Sequence, residues 1–164
     1  MEKAIGTLFL KTSGSKLNQM TGLLITCLHK LSDEQVWEKH GAHENAVGNL
    51  VLHLCGNLQQ LIMHTLAGAP NTRVREAEFS QAGGLTVLQL IDRFQASVTA
   101  ARQVIDDLEP EQLLDPAKLL GRDATKLQVI YQAVGHLQQH VGQIILLTKQ
   151  MTGKDLDLTI PRPR

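Results

Sequence analysis

The chain has 164 residues, 43% hydrophobic and only 3% aromatic, which is the size of one domain with a core built from aliphatic side chains. Sixteen basic residues balance sixteen acidic ones and form no run or stripe, so the chain lacks the charge pattern of a nucleic-acid-binding protein. The scarcity of aromatic residues favours packed helices over a β-sandwich, and two separate cysteines without a CxxC pair favour a reducing, cytoplasmic location.

The first predicted helix carries an apolar stripe at helical spacing and begins between Lys3 and Ser15. The residues of this stripe are Leu17, Met20, Leu24, Cys27, Leu28 and Leu31. Ser32 opens the sequence Ser-Asp-Glu-Gln, a capping-box pattern that predicts a short helix reaching Trp37. A loop over residues 38–43 is expected to follow.

The second predicted helix runs from about Asn45 to Leu66 and ends at Gly68 and Pro70. Its apolar face consists of Val47, Leu50, Leu54, Leu58 and Leu61. Residues 71–84 are predicted to form a long loop of mixed charge. The charged residues of that loop are Arg73, Arg75, Glu76 and Glu78.

The third helix is predicted to begin near Thr86, and Pro110 and Pro116 mark the connection that follows it. Its buried stripe consists of Val87, Ile91, Phe94, Val98, Ala101, Ile105 and Leu108.

The fourth helix has a start signal at Thr125, which forms a capping-box pattern with Gln128, and a C-terminal cap signal at Gly153. Its stripe consists of Ile130, Val134, Leu137, Val141, Ile144 and Ile145. Four helices of this length predict one all-α four-helix bundle over residues 1–153, followed by an extended or disordered tail over residues 154–164.

Two long stretches, residues 45–72 and 127–148, contain no Lys, Arg, Asp or Glu. Each is long enough to suggest a membrane span, but asparagine, glutamine and histidine interrupt both, so we expect no membrane insertion. We expect instead that exposed parts of helices two and four pack against a second subunit as a symmetric dimer. The alternative is that long loops of the same chain cover them.

His136 and His140 are spaced four residues apart, which places both imidazoles on one face of a helix, where they can share a metal ion. His53 is the best third ligand because it lies mid-helix, in an uncharged stretch, beside the apolar face. The histidines with weaker claims are His29, His40, His43 and His64. From spacing alone, these three histidines could equally be packed core residues with backbone partners.

Polar residues beside the histidines could fix the tautomers of the imidazoles. Asn49, Asn57 and Gln60 share a side of helix two with His53, and Gln143 shares a side with His140. Glycines inside the same helices cost stability, so they indicate close helix approach or room for a ligand. These glycines are Gly48, Gly56, Gly135 and Gly142. A di-iron site is excluded because the interiors of helices two and four contain no glutamate.

Two segments, NLVLHLCGNL at residues 49–58 and GHLQQHVGQIILLTK at residues 135–149, resemble the DinB/YfiT-like superfamily through the pattern NLVLHLxGN…HxxxHxGQI. Further matches are Trp37, Arg73, Arg75, Glu76, Glu78 and Phe79. The resemblance implies an up-down-down-up four-helix bundle that is often dimeric. It also implies one divalent ion per subunit, usually nickel or zinc, bound by His53, His136 and His140.

Some members of the superfamily are similar to transferases that use low-molecular-weight thiols, so the resemblance favours metal-dependent thiol S-transfer to a small electrophile. Three histidine ligands leave a coordination position open, as that chemistry requires. Arg73 or Arg75 could bind a carboxylate of the thiol, unless both belong to a solvated loop. The alternatives are a metal-dependent hydrolase, for which helices two and four offer no acidic base, and a non-catalytic, metal-stabilised dimeric bundle that binds a small molecule.

Overall fold

The computed structural model describes residues 2–39, 41 and 43–158. This part of the chain contains five α-helices and one β-hairpin, with two short 3₁₀ turns and one π-helical turn between them. The helices are α1 (Glu2–Leu28), α2 (Val47–Leu58), α3 (Arg75–Ser80), α4 (Val87–Asp106) and α5 (Lys126–Thr152). The strands of the hairpin are β1 (Pro116–Leu119) and β2 (Arg122–Thr125).

Four long helices form the bundle, which confirms the predicted fold class. Helices α1 and α2 each pack against both α4 and α5, so α4 and α5 separate them. The predicted apolar stripes fill the space between the four helices, with Leu17, Leu54, Phe94 and Leu137 almost completely buried. Helix α1 begins before the predicted range because its first turns pack against the 3₁₀ turn at Pro110–Leu114.

Side-chain caps at the predicted positions begin two of the helical segments. Ser32 Oγ accepts from Gln35 N, and Gln35 Oε1 accepts from Ser32 N, ahead of a 3₁₀ turn that ends at Trp37. Thr125 and Gln128 make the same reciprocal pair at the start of α5. Gly153 ends α5 with φ +63°, a left-handed conformation that glycine adopts without strain.

Helix α2 is shorter than predicted and continues directly into a π-helical turn, Gln59–His64, that the sequence did not indicate. The predicted loop over residues 71–84 is wrong in part, because Arg75–Ser80 form α3. Helix α3 lies against α2, where Asn49 Nδ2 donates to the carbonyl oxygens of Glu78 (2.9 Å) and Gln81 (2.7 Å).

The missing charge on α2 therefore has an explanation within one chain: every residue of α2 except Gly56 is buried. Helix α5 differs, because Tyr131 and Leu146 are exposed on it. Among the described residues, no helix combines the length and apolar content needed to cross a bilayer. Residues 154–158 lack regular structure, with Leu156 buried, and the rest of the predicted tail, like His40, lies outside the described residues.

Candidate metal centre

Helices α2 and α5 bring the three predicted histidines together. His53 projects from α2, and His136 and His140 project from α5 one turn apart. The Nε2 atom of His136 lies 3.2 Å from Nε2 of His53 and 3.2 Å from Nε2 of His140. One ligand nitrogen from each residue lies within 4.8 Å of the others, so the three residues form a group that could hold a metal ion.

The spacing of these nitrogens fits a shared metal ion. Two nitrogens bound to one tetrahedral ion at about 2.0–2.1 Å lie about 3.3 Å apart, close to the 3.2 Å separations here. Burial, together with the nearby charges of His140 and His53, lowers the pKa of His136 to about 4. Burial also lowers the pKa of His53, and the hydrogen bond to Glu78 opposes this only in part. Both imidazoles are therefore uncharged at neutral pH, as metal ligation requires.

A carboxylate that the sequence analysis missed completes the site. Glu78 Oε2, on α3, lies 2.9 Å from Nδ1 of His53, on the opposite edge of the imidazole from Nε2. Arg73 donates two hydrogen bonds to the same carboxylate, one from Nε to Oε1 at 2.7 Å and one from Nη2 to Oε2 at 2.8 Å. Burial alone would raise the pKa of Glu78, but the hydrogen bonds from Arg73 and His53 outweigh it and lower that pKa. Glu78 is therefore ionised.

Gly56 makes room for this carboxylate on the surface of α2. A Cβ atom at Gly56 would lie 1.9 Å from Glu78 Oε1 and 3.0 Å from Arg73 Nε. The expectation of close approach therefore holds at Gly56, and at Gly48, where the ring of Trp37 lies 2.9 Å from the Cβ position. Gly135 has open space at the same position, as does Gly142.

The other predicted polar residues lie at different distances from the histidines. Gln143 Oε1 is 2.7 Å from Nδ1 of His140, so this residue contacts the cluster directly. Gln60 accepts from Arg73 Nη1 at 2.7 Å, one contact further out. Asn49 holds α3 in place through its backbone bonds. Asn57 is buried on α2.

The two predicted substrate-binding arginines have separate environments. The side chain of Arg73 is only 7% exposed and is bound to Glu78, so it is not part of a solvated loop. Arg75 is exposed, with its guanidinium carbon 5.0 Å above the ring of Phe79. The Phe79 ring in turn lies 4.8 Å from the His53 ring, which places Arg75 at the edge of the cluster.

The other histidines that the structure describes are not part of the cluster. His64 Nδ1 lies 2.7 Å from the carbonyl of Ala69, while His29 and His43 are exposed. Within the cluster, Nδ1 of His136 is buried and has no hydrogen-bond partner among the described residues.

Comparison with known proteins identifies a matching family model and two similar crystal structures. The model of the family described as "Protein of unknown function (DUF1572)" matches residues 4–164. A conserved protein from Enterococcus faecalis has a similar crystal structure, with a TM-score of 0.72 at 17% identity over 88% of this chain and 97% of that chain. A DinB-like protein from Bacillus cereus aligns with a TM-score of 0.68 at 16% identity over 87% of this chain and 90% of that chain.

A search of curated proteins finds no significant match. Likeness at such low identity shows the fold, which this chain shares with both proteins, one of them described as DinB-like.

Proposed function

Since the chain belongs to the DUF1572 family and has the fold of DinB-like proteins, we propose that it is a metal-dependent protein holding one divalent ion between α2 and α5. The ligands are Nε2 of His53, His136 and His140. The observation that carries this proposal is the convergence of the three imidazoles, with Nε2 of His136 lying 3.2 Å from Nε2 of His53 and 3.2 Å from Nε2 of His140. Imidazole donors suit nickel and zinc, which are the ions we propose.

The proposed activity is transfer of a small thiol to an electrophile. Three protein ligands leave a coordination position for a small molecule, as in catalytic rather than structural zinc sites. A bound divalent ion would supply the Lewis acidity that lowers the pKa of a thiol and holds its sulfur in place. In the overall reaction the S–H proton passes to solvent, a bond forms between sulfur and the electrophilic carbon, and the leaving group departs with its bonding electrons.

The position of Glu78 supports thiol transfer over hydrolysis. Hydrolysis at such a site gains more from a protein base than thiol transfer does, because free water has a pKa of about 15.7 and a free thiol one of about 8.5. Glu78 contacts Nδ1 of His53, and Arg73 engages both of its oxygens. Among the described residues, no carboxylate joins the group of three ligand nitrogens. Thiol transfer has less need of a protein base, because a bound metal assists the deprotonation.

Arg75 is the residue that we propose for recognition of an anionic group on the thiol. It lies at the edge of the cluster and is exposed, and its charge contributes to the lowered pKa of His136. Arg73 is unsuited to this role because Glu78 neutralises it.

The test combines metal binding with turnover. Metal-stripped protein is titrated with nickel, zinc and manganese by calorimetry, and each loaded form is assayed with a panel of thiols against 1-chloro-2,4-dinitrobenzene. The proposal expects binding of one ion per chain and thiol-dependent turnover, both lost in His53→Ala and both retained in the exposed control His29→Ala. Absence of metal binding would overturn the proposal. Binding without turnover would instead identify a non-catalytic, metal-stabilised bundle.

We also propose that a second copy of the chain packs on the exposed face of α5. That face has no charged residue between positions 127 and 148 and presents Tyr131, Leu146 and the unobstructed Gly135 and Gly142. The sequence analysis expected a dimer interface formed by both helices two and four. We propose an interface formed by α5 alone, because α3 of the same chain covers α2.

Sedimentation at micromolar concentrations tests this interface. A dimer is expected for the wild type and for Gly22→Glu, a control on the exposed side of α1, and a monomer for Gly142→Glu. A monomeric wild type would show that the α5 face has no such partner.

A further inference from the structure

The contact between Glu78 and His53 carries an inference that rests on the proposed metal site. We propose that Glu78, held by Arg73, is a positioning residue that keeps the proton of His53 on Nδ1 and so leaves Nε2 free to bind the ion. The function of the carboxylate is then to set metal affinity through a histidine, without touching the ion or the substrate.

Hydrogen-bond roles at Nδ1 support this assignment. An ionised carboxylate can only accept, so the 2.9 Å contact between Glu78 Oε2 and Nδ1 is a hydrogen bond only when Nδ1 carries the hydrogen. Arg73 Nη2 also lies 3.0 Å from Nδ1, and because it carries a second hydrogen besides the one donated to Oε2 at 2.8 Å, it is the competing donor toward Nδ1. If Nδ1 accepted from Arg73 instead, its lone pair would face a carboxylate oxygen at 2.9 Å, which is repulsive.

The tautomer matters because neutral imidazole carries its proton on either nitrogen. With the proton on Nε2, His53 would direct an N–H group at the shared point and could not bind a metal there. With the proton on Nδ1, Nε2 presents its lone pair to the same point as Nε2 of His136. Glu78 therefore disfavours the tautomer of His53 that is protonated on Nε2, even in the metal-free protein.

The surroundings of the carboxylate are built to hold it in one position. The side chains of His53, Arg73 and Glu78 are only 6%, 7% and 9% exposed. Asn49 fixes the backbone of α3 at Glu78, and Gly56 provides the space into which the carboxylate fits. A carboxylate with two bonds from one arginine has little freedom to rotate, so it defines the ring plane of His53.

The other two histidines differ in this respect. His140 has only the neutral side chain of Gln143 at Nδ1, and His136 has no partner at Nδ1 among the described residues. Glu78 is therefore the charged group that orients a ligand of this cluster, and changes of such partners typically cost 10–100-fold in metal affinity.

A purely structural role, in which Arg73 and Glu78 only fasten α3 to α2, predicts a different outcome. It predicts lower stability when Glu78 is changed, but no change in the imidazole tautomer of His53 and no change in metal affinity of the folded protein. Tautomer and affinity are therefore the measurements that separate the two roles.

The experiment uses the full chain and two readouts. Nitrogen-15 NMR of the imidazoles in the metal-free wild type is expected to show His53 protonated on Nδ1. In Glu78→Gln that preference is expected to be lost, and zinc affinity measured by calorimetry should fall about 10–100-fold. Glu76→Gln removes the same charge from an exposed position of the same helix and should leave both readouts unchanged.

The outcomes distinguish this inference from the metal proposal. A wild type that binds zinc with His53 protonated on Nε2 when metal-free overturns the positioning role, and this reading does not depend on whether any variant folds. Equal zinc affinity for Glu78→Gln and wild type overturns it as well, while the metal site stands. If the wild type binds no metal, the proposed function fails, and with it the role of Glu78 toward an ion.

Discussion

Replacing Gly56 with alanine tests the contact between α2 and the buried carboxylate. The new Cβ atom would lie 1.9 Å from Glu78 Oε1, a distance that no packed structure tolerates. Because that oxygen is the end of a side chain, the carboxylate would move rather than the helices. Any movement away from α2 weakens the bonds of Glu78 to Arg73 and to His53.

Two opposing terms set the expected size of this effect. Losing one charge-assisted bond costs about 1.5–3 kcal/mol, while alanine in place of a helical glycine gains about 1 kcal/mol. The net expectation is a loss of roughly 1 kcal/mol, which lowers Tm by about 2–4 °C in a chain of this size. Gly22→Ala is the matched control, because Gly22 lies within α1 and has no atom near its Cβ position.

Thermal unfolding of the metal-free proteins checks both values. Gly22→Ala should raise Tm by about 2–4 °C, so the two glycine variants should differ by about 4–8 °C. Equal stabilisation by both substitutions would refute the close packing of Glu78 on Gly56. Zinc affinity should also fall in Gly56→Ala alone.

Three further predictions concern the metal, the histidines and the cysteines. A divalent ion at a hundredfold excess over its Kd should stabilise the fold by about 2.7 kcal/mol, seen as a rise in Tm in the wild type but not in His53→Ala. Without metal, stability should fall as the pH drops from 6.5 toward 4, because burial lowers the pKa of His136 to about 4 and the unfolded chain then binds more protons than the folded one. Allowing for solvent screening, urea unfolding should show a loss of about 1 kcal/mol between pH 6.5 and 5, and a flatter profile in His136→Gln. Burial raises the pKa of Cys27 and of Cys55, so Ellman's reagent should modify both thiols in urea and neither at an appreciable rate in the native protein.

Local sequence signals predicted the helices well because each signal acts within a few residues. Apolar periodicity identified the buried faces of all four long helices, and the caps at Ser32, Thr125 and Gly153 act over one helical turn. The pairing of His136 with His140 is equally local, since an i,i+4 spacing on a helix determines which side chains are neighbours. Predicting His53 required a further assumption, namely that a histidine in the middle of an uncharged helix faces the interior of the bundle, where His136 and His140 also lie.

Elements without a strong local sequence signal were not predicted. Helix α3 has only six residues and is held by Asn49, which lies 29 residues before Glu78, so its own sequence carries no strong helical pattern. The turn of the hairpin consists of Leu120 and Gly121, both with positive φ, and only Gly121 is a residue type that indicates such a turn. Apart from the family resemblance, which includes Glu78, the signal for the buried carboxylate was Gly56, a glycine costly enough inside a helix to indicate a close neighbour.

The position of Glu78 in the chain also bears on the choice between hydrolysis and thiol transfer. Predicted helices two and four contain no acidic residue in their interiors, so the sequence offers no base for hydrolysis there. Glu78 comes instead from the connection between α2 and α4, yet it reaches the cluster at the outer edge of His53 and is already bound to Arg73. Because proton abstraction needs a free, correctly placed acceptor, the presence of this carboxylate adds to ligand orientation rather than to base catalysis. The same contact that explains how His53 is held therefore supports the proposed thiol transfer over the hydrolase alternative.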